Sequence, residues 1–292
     1  MPFVEHPVFT QPDNENHVVW RYYDATQFIS VLQNRGLYFN RSDEFSDPFE
    51  GIYPKERLKK EYERNLFSKI TESILADNDH YPEEAVRDDP KKEVLKLSDR
   101  FRSRSYMNCW HMNESESMAM WKSYIDSGDG VLIKSTYSKL KSAIDVHNDH
   151  KYRMGTVDYL PWFDDKVEEE LDESEQHNRF YAFMYKQEEY EYENEVRVII
   201  SQQEGSDGFF VKTDLNELID EVIISPNSPP WSGIQFWENI LRKYRVRSDV
   251  RKSDLETTPE DILENIDRKQ IEKEVAESVE EWKEEKDFLD QL

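Results

Sequence analysis

The stretch Asn108–Tyr124 constrains this chain more than any other, because seventeen residues hold two Trp, three Met, a Tyr, a His and the sole Cys. So many large side chains need a surrounding fold to bury them. Ser105-Tyr-Met-Asn-Cys-Trp110 reads as a strand entering the stretch, and Gly130-Val-Leu-Ile-Lys-Ser135 as one following the turn Ser127-Gly-Asp-Gly130. Between them Met118, Met120, Trp121 and Tyr124 fall at near-helical spacing. Asn113 stands three residues ahead of Glu116, the spacing of a capping box. The expected unit is strand, capped helix, turn, strand. Its Met and Trp stripe reads chiefly as core, with Trp121 as a wall for a stacked ligand in the sharper reading.

The segments before and after this unit extend the same alternation. Residues 1–17 are broken by Pro and Asn and read as a loose arm. Val18–Tyr23 reads as a strand, Asp24 as the cap of a helix carrying Phe28, Val31 and Leu32, Gly36 as that helix's C′ residue, and Leu37–Arg41 as a second strand. Residues 55–104 differ. Leu58, Tyr62, Leu66, Ile70 and Ile74 recur every four residues, and Pro90 opens another helix with Val94, Leu97 and Phe101, so a helical pair is inserted here. Later, Tyr152–Tyr159 reads as a strand. The acid-rich 167–176 leads into a helix with Phe180 and Phe183, and Glu191–Ile200 reads as an interior strand with its polar end first. Phe209–Lys212, Val222–Ile224 and 246–250 are further strands, with a helix from Trp231 to Tyr244. The expectation is an α+β fold: a mixed, strongly twisted sheet in a domain spanning 18–255, with the helical insertion at 55–104 and a C-terminal helix over 256–292. From Thr258 onward that tail carries 13 acidic residues against 5 basic, and its apolar residues suit packing on the domain or on a partner protein.

Net charge narrows the partners. With 63 acidic and 38 basic residues the chain carries −25, which disfavours coating nucleic acid through counterion release. Whether the acidity reflects a high-salt habitat stays open. One Cys excludes an internal disulfide and a Cys-based zinc site. No apolar run reaches the roughly 20 residues that span a bilayer, no signal peptide is visible, and no Gly-rich phosphate loop occurs. The expectation is a cytoplasmic protein without membrane contact.

Three polar clusters lie at expected strand ends, where sites gather. Arg21 and Tyr22 face opposite sides of a strand, so only one of them is expected to line a given pocket. Asp47-Pro-Phe-Glu50-Gly51 is turn chemistry that also presents two carboxylates. Glu193, Glu195 and Arg197 alternate along a strand and so point to one side; buried together, the Arg must neutralise the acids and one Glu can hold a perturbed pKa. His147 and His150 have metal-like spacing but no third ligand, and a solvated loop is the plainer reading. Cys109 reads as a small packed hydrophobe, with His111 expected to point away from it.

Taken together, Trp20-Arg-Tyr22, Phe45–Gly51, Cys109-Trp-His111, Met120-Trp-Lys-Ser-Tyr124, Gly130-Val131, Tyr192–Arg197, Ile224-Ser-Pro226 and Val250–Ser253 resemble a prokaryotic family called domain of unknown function 2971, over about residues 18–255. The opening βαβ unit and the late acidic strand are in turn similar to the ADP-ribosyltransferase-like fold. That resemblance implies catalytic roles for Arg21, Glu193 and Glu195. It implies substrate contacts from the strand holding Asn108, Trp110 and His111, with NAD as substrate; the polar clusters and the aromatic stripe add Tyr22, Asp47, Glu50, Trp121 and Arg197 as candidate contacts, and no metal ligands are expected. The chain lacks the His-x-Thr and Ser-Thr-Ser elements of the better-known members.

The functional expectation is an NAD-using transferase or NAD-cleaving enzyme, as a toxin or defence effector. The alternative is a non-catalytic module binding a small molecule or a partner protein through the tail. A metal-dependent nuclease built on Asp47, Glu50 and Glu195 ranks last.

Overall fold

Strand β1 (Val18–Asp24) ends on its own helix cap. Asp24 accepts from the Gln27 backbone N–H while the Gln27 side chain accepts from Asp24, a reciprocal box that fixes the start of α1 (Ala25–Asn34). The structure, a computed structural model, describes residues 3–75, 90–125, 128–144, 150–164, 180–202, 206–264 and 266–289. α1 ends on Arg35 in the left-handed region (φ 48°), so the C-terminal turn is made by Arg35 and not by Gly36. Gly36 is needed for another reason. It opens β2 (Gly36–Arg41), where a Cβ would stand 2.2 Å from the Val211 carbonyl oxygen of β9 (Gly208–Lys212).

The inserted helices are α2 (Lys55–Leu75) and α3 (Pro90–Arg102). They lead to β3 (Ser105–Met112), then α4 (Met118–Tyr124), β4 (Gly130–Thr136) and α5 (Tyr137–Ile144). The cap of α4 differs from expectation. Ser117 accepts from the Met120 N–H, and Glu116 instead accepts from Trp121 Nε1 at 2.9 Å. The strand expected over 152–159 is two strands with different partners, β5 (Tyr152–Thr156) and β6 (Asp158–Leu160). A single helical turn, α6 (Tyr181–Met184), leads into β7 (Tyr185–Gln187), which pairs with β6. A 3-10 turn over Glu188–Glu193 follows, and Asn194 in the left-handed region (φ 36°) starts β8 (Glu195–Ser201). The chain closes with α7 (Leu215–Leu218), β10 (Glu221–Ile224), α8 (Ile234–Tyr244) and β11 (Asp249–Lys252). Trp231 lies outside α8 and is exposed.

Nine of the described strands form one sheet, antiparallel except for the β10–β11 pair, which gives the expected α+β class with a mixed sheet. Strand β8 follows one edge of β3 along Ser105–His111. Strands β1 and β2 must therefore share the other edge. β1 meets β3 only at Met112 and His111, and β2 meets it only at Met107 and Tyr106. The two strands fork, and Asn108–Trp110 is left without a strand partner on that side.

Side-chain parity sorts the core. Val19, Tyr23, Trp110, Val196, Val198 and Ile200 turn to one face, where α1, α5, α7 and α8 cover them with Phe28, Val31, Leu140, Leu215, Trp237 and Leu241. The opposite face carries two separate clusters. One gathers Trp20, Tyr22, Met120, Trp121 and Leu132, the other Met107, Trp162, Phe183 and Ile199. Burial of each such large side chain contributes roughly 1.5–3 kcal/mol before entropy is set against it. The N-terminal arm is not loose, because Val8 and Phe9 are buried in the second of these clusters and Val4 N–H donates to the Tyr152 carbonyl.

Residues 1–252 form one compact unit and 253–292 another. The second unit holds α9 (Pro259–Glu264) and α10 (Arg268–Leu289), two helices where one was expected. On α10, Ile271, Val275 and Val279 are exposed. No helix among the described residues is long and apolar enough to cross a membrane. The acid-rich stretch 167–176 and most of the His147–His150 loop fall outside the described residues; His150 itself packs its ring against Tyr152 and Phe209.

Candidate functional site

The fork between β1 and β2 opens over β3, between the two smaller clusters, and the cleft there has a volume of about 290 Å³. Trp20, Tyr22 and Met120 wall one side, Met107 and Phe45 the other, and Tyr38 and Asn40 come from β2. Its polar lining is Arg21, Gln27, Cys109, His111, Glu193 and Glu195, with Trp110 on β3 and Tyr124 at the end of α4.

Arg21 and Tyr22 both reach the cleft, against the expectation that only one would. Tyr22 sits on the same face as Glu195. Arg21 starts on the opposite face but extends through the gap, where it donates to the Cys109 carbonyl that the missing strand leaves free. Its guanidinium also lies over the Tyr23 ring, 5.3 Å from the centroid. Tyr22 is braced by the Ser117 N–H, which donates to its hydroxyl at 2.9 Å, and by the edge of Trp121 at 5.0 Å between centroids. Trp121 is therefore a buried support, not a wall of the cleft.

The carboxylates belong to a buried ionic chain. Arg197 forks onto both oxygens of Glu50, at 2.7 and 2.8 Å, and reaches Glu195 at 3.0 Å and the Phe183 carbonyl at 2.5 Å. Lys186 contacts Glu193 at 2.5 Å and Glu195 at 3.7 Å, and lies over the Tyr190 ring. Burial opposes ionisation of Glu195, but Arg197 and Lys186 outweigh it and hold its pKa at about 2. Glu193 moves the other way, raised by burial and by the Glu195 charge beside it. Glu193 is not on the strand, since β8 begins at Glu195, yet the 3-10 turn still delivers its carboxylate to Lys186.

His111 stands opposite Glu195 in the β3–β8 register. Its Nδ1 is 2.5 Å from the Glu193 carbonyl oxygen, and burial lowers its pKa against the pull of that carbonyl. Cys109 and His111 are two residues apart on β3, so they share a face and do not point apart. The Cys109 thiol hydrogen-bonds to Glu195; burial, then the Glu195 charge, push its pKa well up, which keeps it a thiol and a poor nucleophile.

Trp110 borders the cleft, while its ring packs in the main core and its Nε1 donates to Asn108 Oδ1 at 2.7 Å. Asn108 and Asp47 lie outside the cleft lining. Asn108 is fully buried and donates to the Tyr38 carbonyl at 2.8 Å, so the pair ties β2 to β3 beside the fork. Asp47 accepts from the Phe49 N–H within its own turn. Asp47, Glu50 and Glu195 do not form a ligand set, because Arg197 stands between the two glutamates. Among the described residues no group of three His, Cys, Asp or Glu is arranged to hold a metal ion.

Comparison with protein-family models, with curated proteins and with solved structures returns no match to this chain. Its site is read from geometry alone. Lys186 and Tyr124 were not among the expected site residues. Lys186 lies in the unremarkable run Tyr185-Lys-Gln-Glu188, and no local pattern marks a lysine whose partners are seven and nine residues ahead. Tyr124 was legible only as the last member of the α4 stripe.

Proposed function

We propose that the forked-sheet cleft binds NAD and cleaves its nicotinamide–ribose bond, either to water or to an acceptor group, as an ADP-ribosyltransferase-like enzyme does. The observation that carries this reading is the convergence of Arg21, Tyr22, His111 and an ionised Glu195 on one cleft of nucleoside size, over a strand the sheet leaves half unpaired. The likeness of the opening βαβ unit and late acidic strand to the ADP-ribosyltransferase-like fold points the same way, by analogy of fold.

In this reading Arg21 supplies the cationic fork for a phosphate at the cleft mouth. Tyr22 and Tyr124, stacked at 6.2 Å between centroids, offer an aromatic surface to the pyridinium. The C1′–N bond breaks and nicotinamide leaves with its electron pair. The oxocarbenium ion left behind is stabilised by the fixed negative charge of Glu195, already desolvated and oriented by Arg197 and Lys186. Water or an acceptor nucleophile then bonds to C1′ and gives up its proton.

The test is nicotinamide release from NAD by the wild type and by Glu195→Gln. Release by the wild type, lowered at least about a hundredfold in the variant, supports the reading; equal background rates in both remove it.

The exposed Ile271, Val275 and Val279 of α10 support a second reading, a partner protein held by the C-terminal unit. It predicts partner binding that survives Glu195→Gln and is lost on deletion of residues 258–292.

A further inference from the structure

His111 is buried to 3% exposure, lines the cleft, and makes only one of the two hydrogen bonds its ring offers. The Glu193 carbonyl can only accept, so Nδ1 must carry the proton and donate to it. In the neutral ring that assignment leaves Nε2 as a bare lone pair. Nε2 is buried with no hydrogen-bond partner among the described residues. A buried acceptor without a donor is costly and uncommon in a folded chain, and it marks a place where something is still to bind.

The neighbours of the ring do not offer that donor. Tyr22 lies 6.4 Å away between ring centroids, and its hydroxyl, which accepts from the Ser117 N–H, makes no hydrogen bond to the ring. Cys109 hydrogen-bonds to Glu195, and Glu193 is turned to Lys186. Glu195, directly across the ladder, has only acceptor oxygens while ionised.

We propose that His111 Nε2 is a fixed acceptor subsite that receives a neutral hydrogen-bond donor, a hydroxyl or an amide N–H, from the ligand of the cleft. The inference rests on the NAD reading, in which the donor is the nicotinamide carboxamide or a ribose hydroxyl. The Glu193 backbone sets the tautomer and so sets the polarity of the subsite. His111 is then a specificity residue that rejects a ligand presenting an acceptor at this point.

Two isosteric substitutions separate the ring's nitrogens. His111→Asn places an amide where Nδ1 stands, keeping a donor for the Glu193 carbonyl and deleting Nε2. His111→Gln places its amide nearer Nε2 and can present an oxygen there. The probe is carba-NAD, which keeps the carboxamide and hydroxyls but does not cleave, with affinity read by calorimetry. The expected result is a loss of roughly tenfold in His111→Asn, about one neutral hydrogen bond, and a change within about threefold in His111→Gln. Because either variant can fail to fold, the ¹⁵N signal of Nε2 is also followed in the wild type. It starts as an unprotonated nitrogen and shifts on ligand addition. The 3-acetylpyridine counterpart of NAD, in which a methyl replaces the amide NH2 and no charge is added, tells the amide from the hydroxyls. Wild-type affinity in His111→Asn, or an unmoved Nε2 signal in a saturated wild type, overturns this assignment and leaves the NAD reading standing. No binding of either NAD or carba-NAD by the wild type removes both.

Discussion

Arg197 joins Glu50, 147 residues before it, to Glu195, so that an early turn is fastened to the first residue of β8. The fork of two nitrogens onto the Glu50 carboxylate is buried to 2% side-chain exposure or less on both partners. Removing one member of such a group strands the charges that remain. Arg197→Met should destabilise the fold by about 3–5 kcal/mol in urea unfolding, whereas the triple replacement of Glu50, Glu195 and Arg197 by apolar residues of similar size should recover much of the loss.

Gly51 holds that turn in place at φ +69°, where a Cβ would stand 2.4 Å from the Phe183 ring. Gly51→Ala combines left-handed strain with a clash, and should cost about 1–3 kcal/mol. Calorimetric melting of the variant against wild type measures it. An unchanged melting temperature would mean that the ring yields and the turn does not matter.

Acid should attack the same network. The pKa of Glu195 falls from 4.5 to about 2 on folding, so below pH 4.5 the unfolded chain binds a proton that the folded chain refuses. The stability from this carboxylate is complete above pH 4.5 and disappears as pH falls toward 2, with an upper size of ~3 kcal/mol. Glu193, whose pKa is raised, contributes with the opposite sign. Urea unfolding of wild type and Glu195→Gln at several pH values between 2 and 6 isolates the Glu195 part, and the two curves should converge at the acid end.

The two faces of the sheet give a paired prediction. Trp110→Phe removes the donor to Asn108 Oδ1 and should cost about 1–3 kcal/mol through a buried acceptor left alone, with nicotinamide release by the folded protein lowered less than in a Tyr22 variant, because the Trp110 ring is held in the main core. Tyr22→Ala should do the reverse in emphasis, lowering release by at least tenfold through lost stacking of about 1.4 kcal/mol or more. Equal effects on activity would give Trp110, which also borders the cleft, the same share in ligand contact as Tyr22.

Much of the fold was legible because its signals are local. The Asp24 cap, the four-residue steps of Leu58, Tyr62 and Leu66, and Pro90 at a helix start each act within one or two turns of chain. The site was legible in part. Arg21, His111 and Glu195 could be named from their strands, and Glu193 from its spacing. The role of Trp110 was not, because its neighbour in sequence space is its opposite in the sheet, and only register tells which face holds the chemistry. The fork was invisible for a related reason. Nothing within β1 or β2 records that both lie against one edge of β3, and the meeting of Arg21 with a backbone carbonyl depends on that topology. Lys186 escaped for want of any periodic signal.

The fork has a mechanical consequence. Strands β11, β10, β4 and β1 hang from the last two residues of β3, while β2 and β9 hang from its early half. Along that edge the connection between the two flanks is three residues of main chain, steadied by the Asn108 amide and the Arg21 guanidinium where ladder bonds would otherwise run. Within the sheet a load that separates the flanks along this edge falls on those two side chains, and the tie that spans the gap from outside the sheet is α1, which packs on β1 and β4 of one flank and on β2 and β9 of the other.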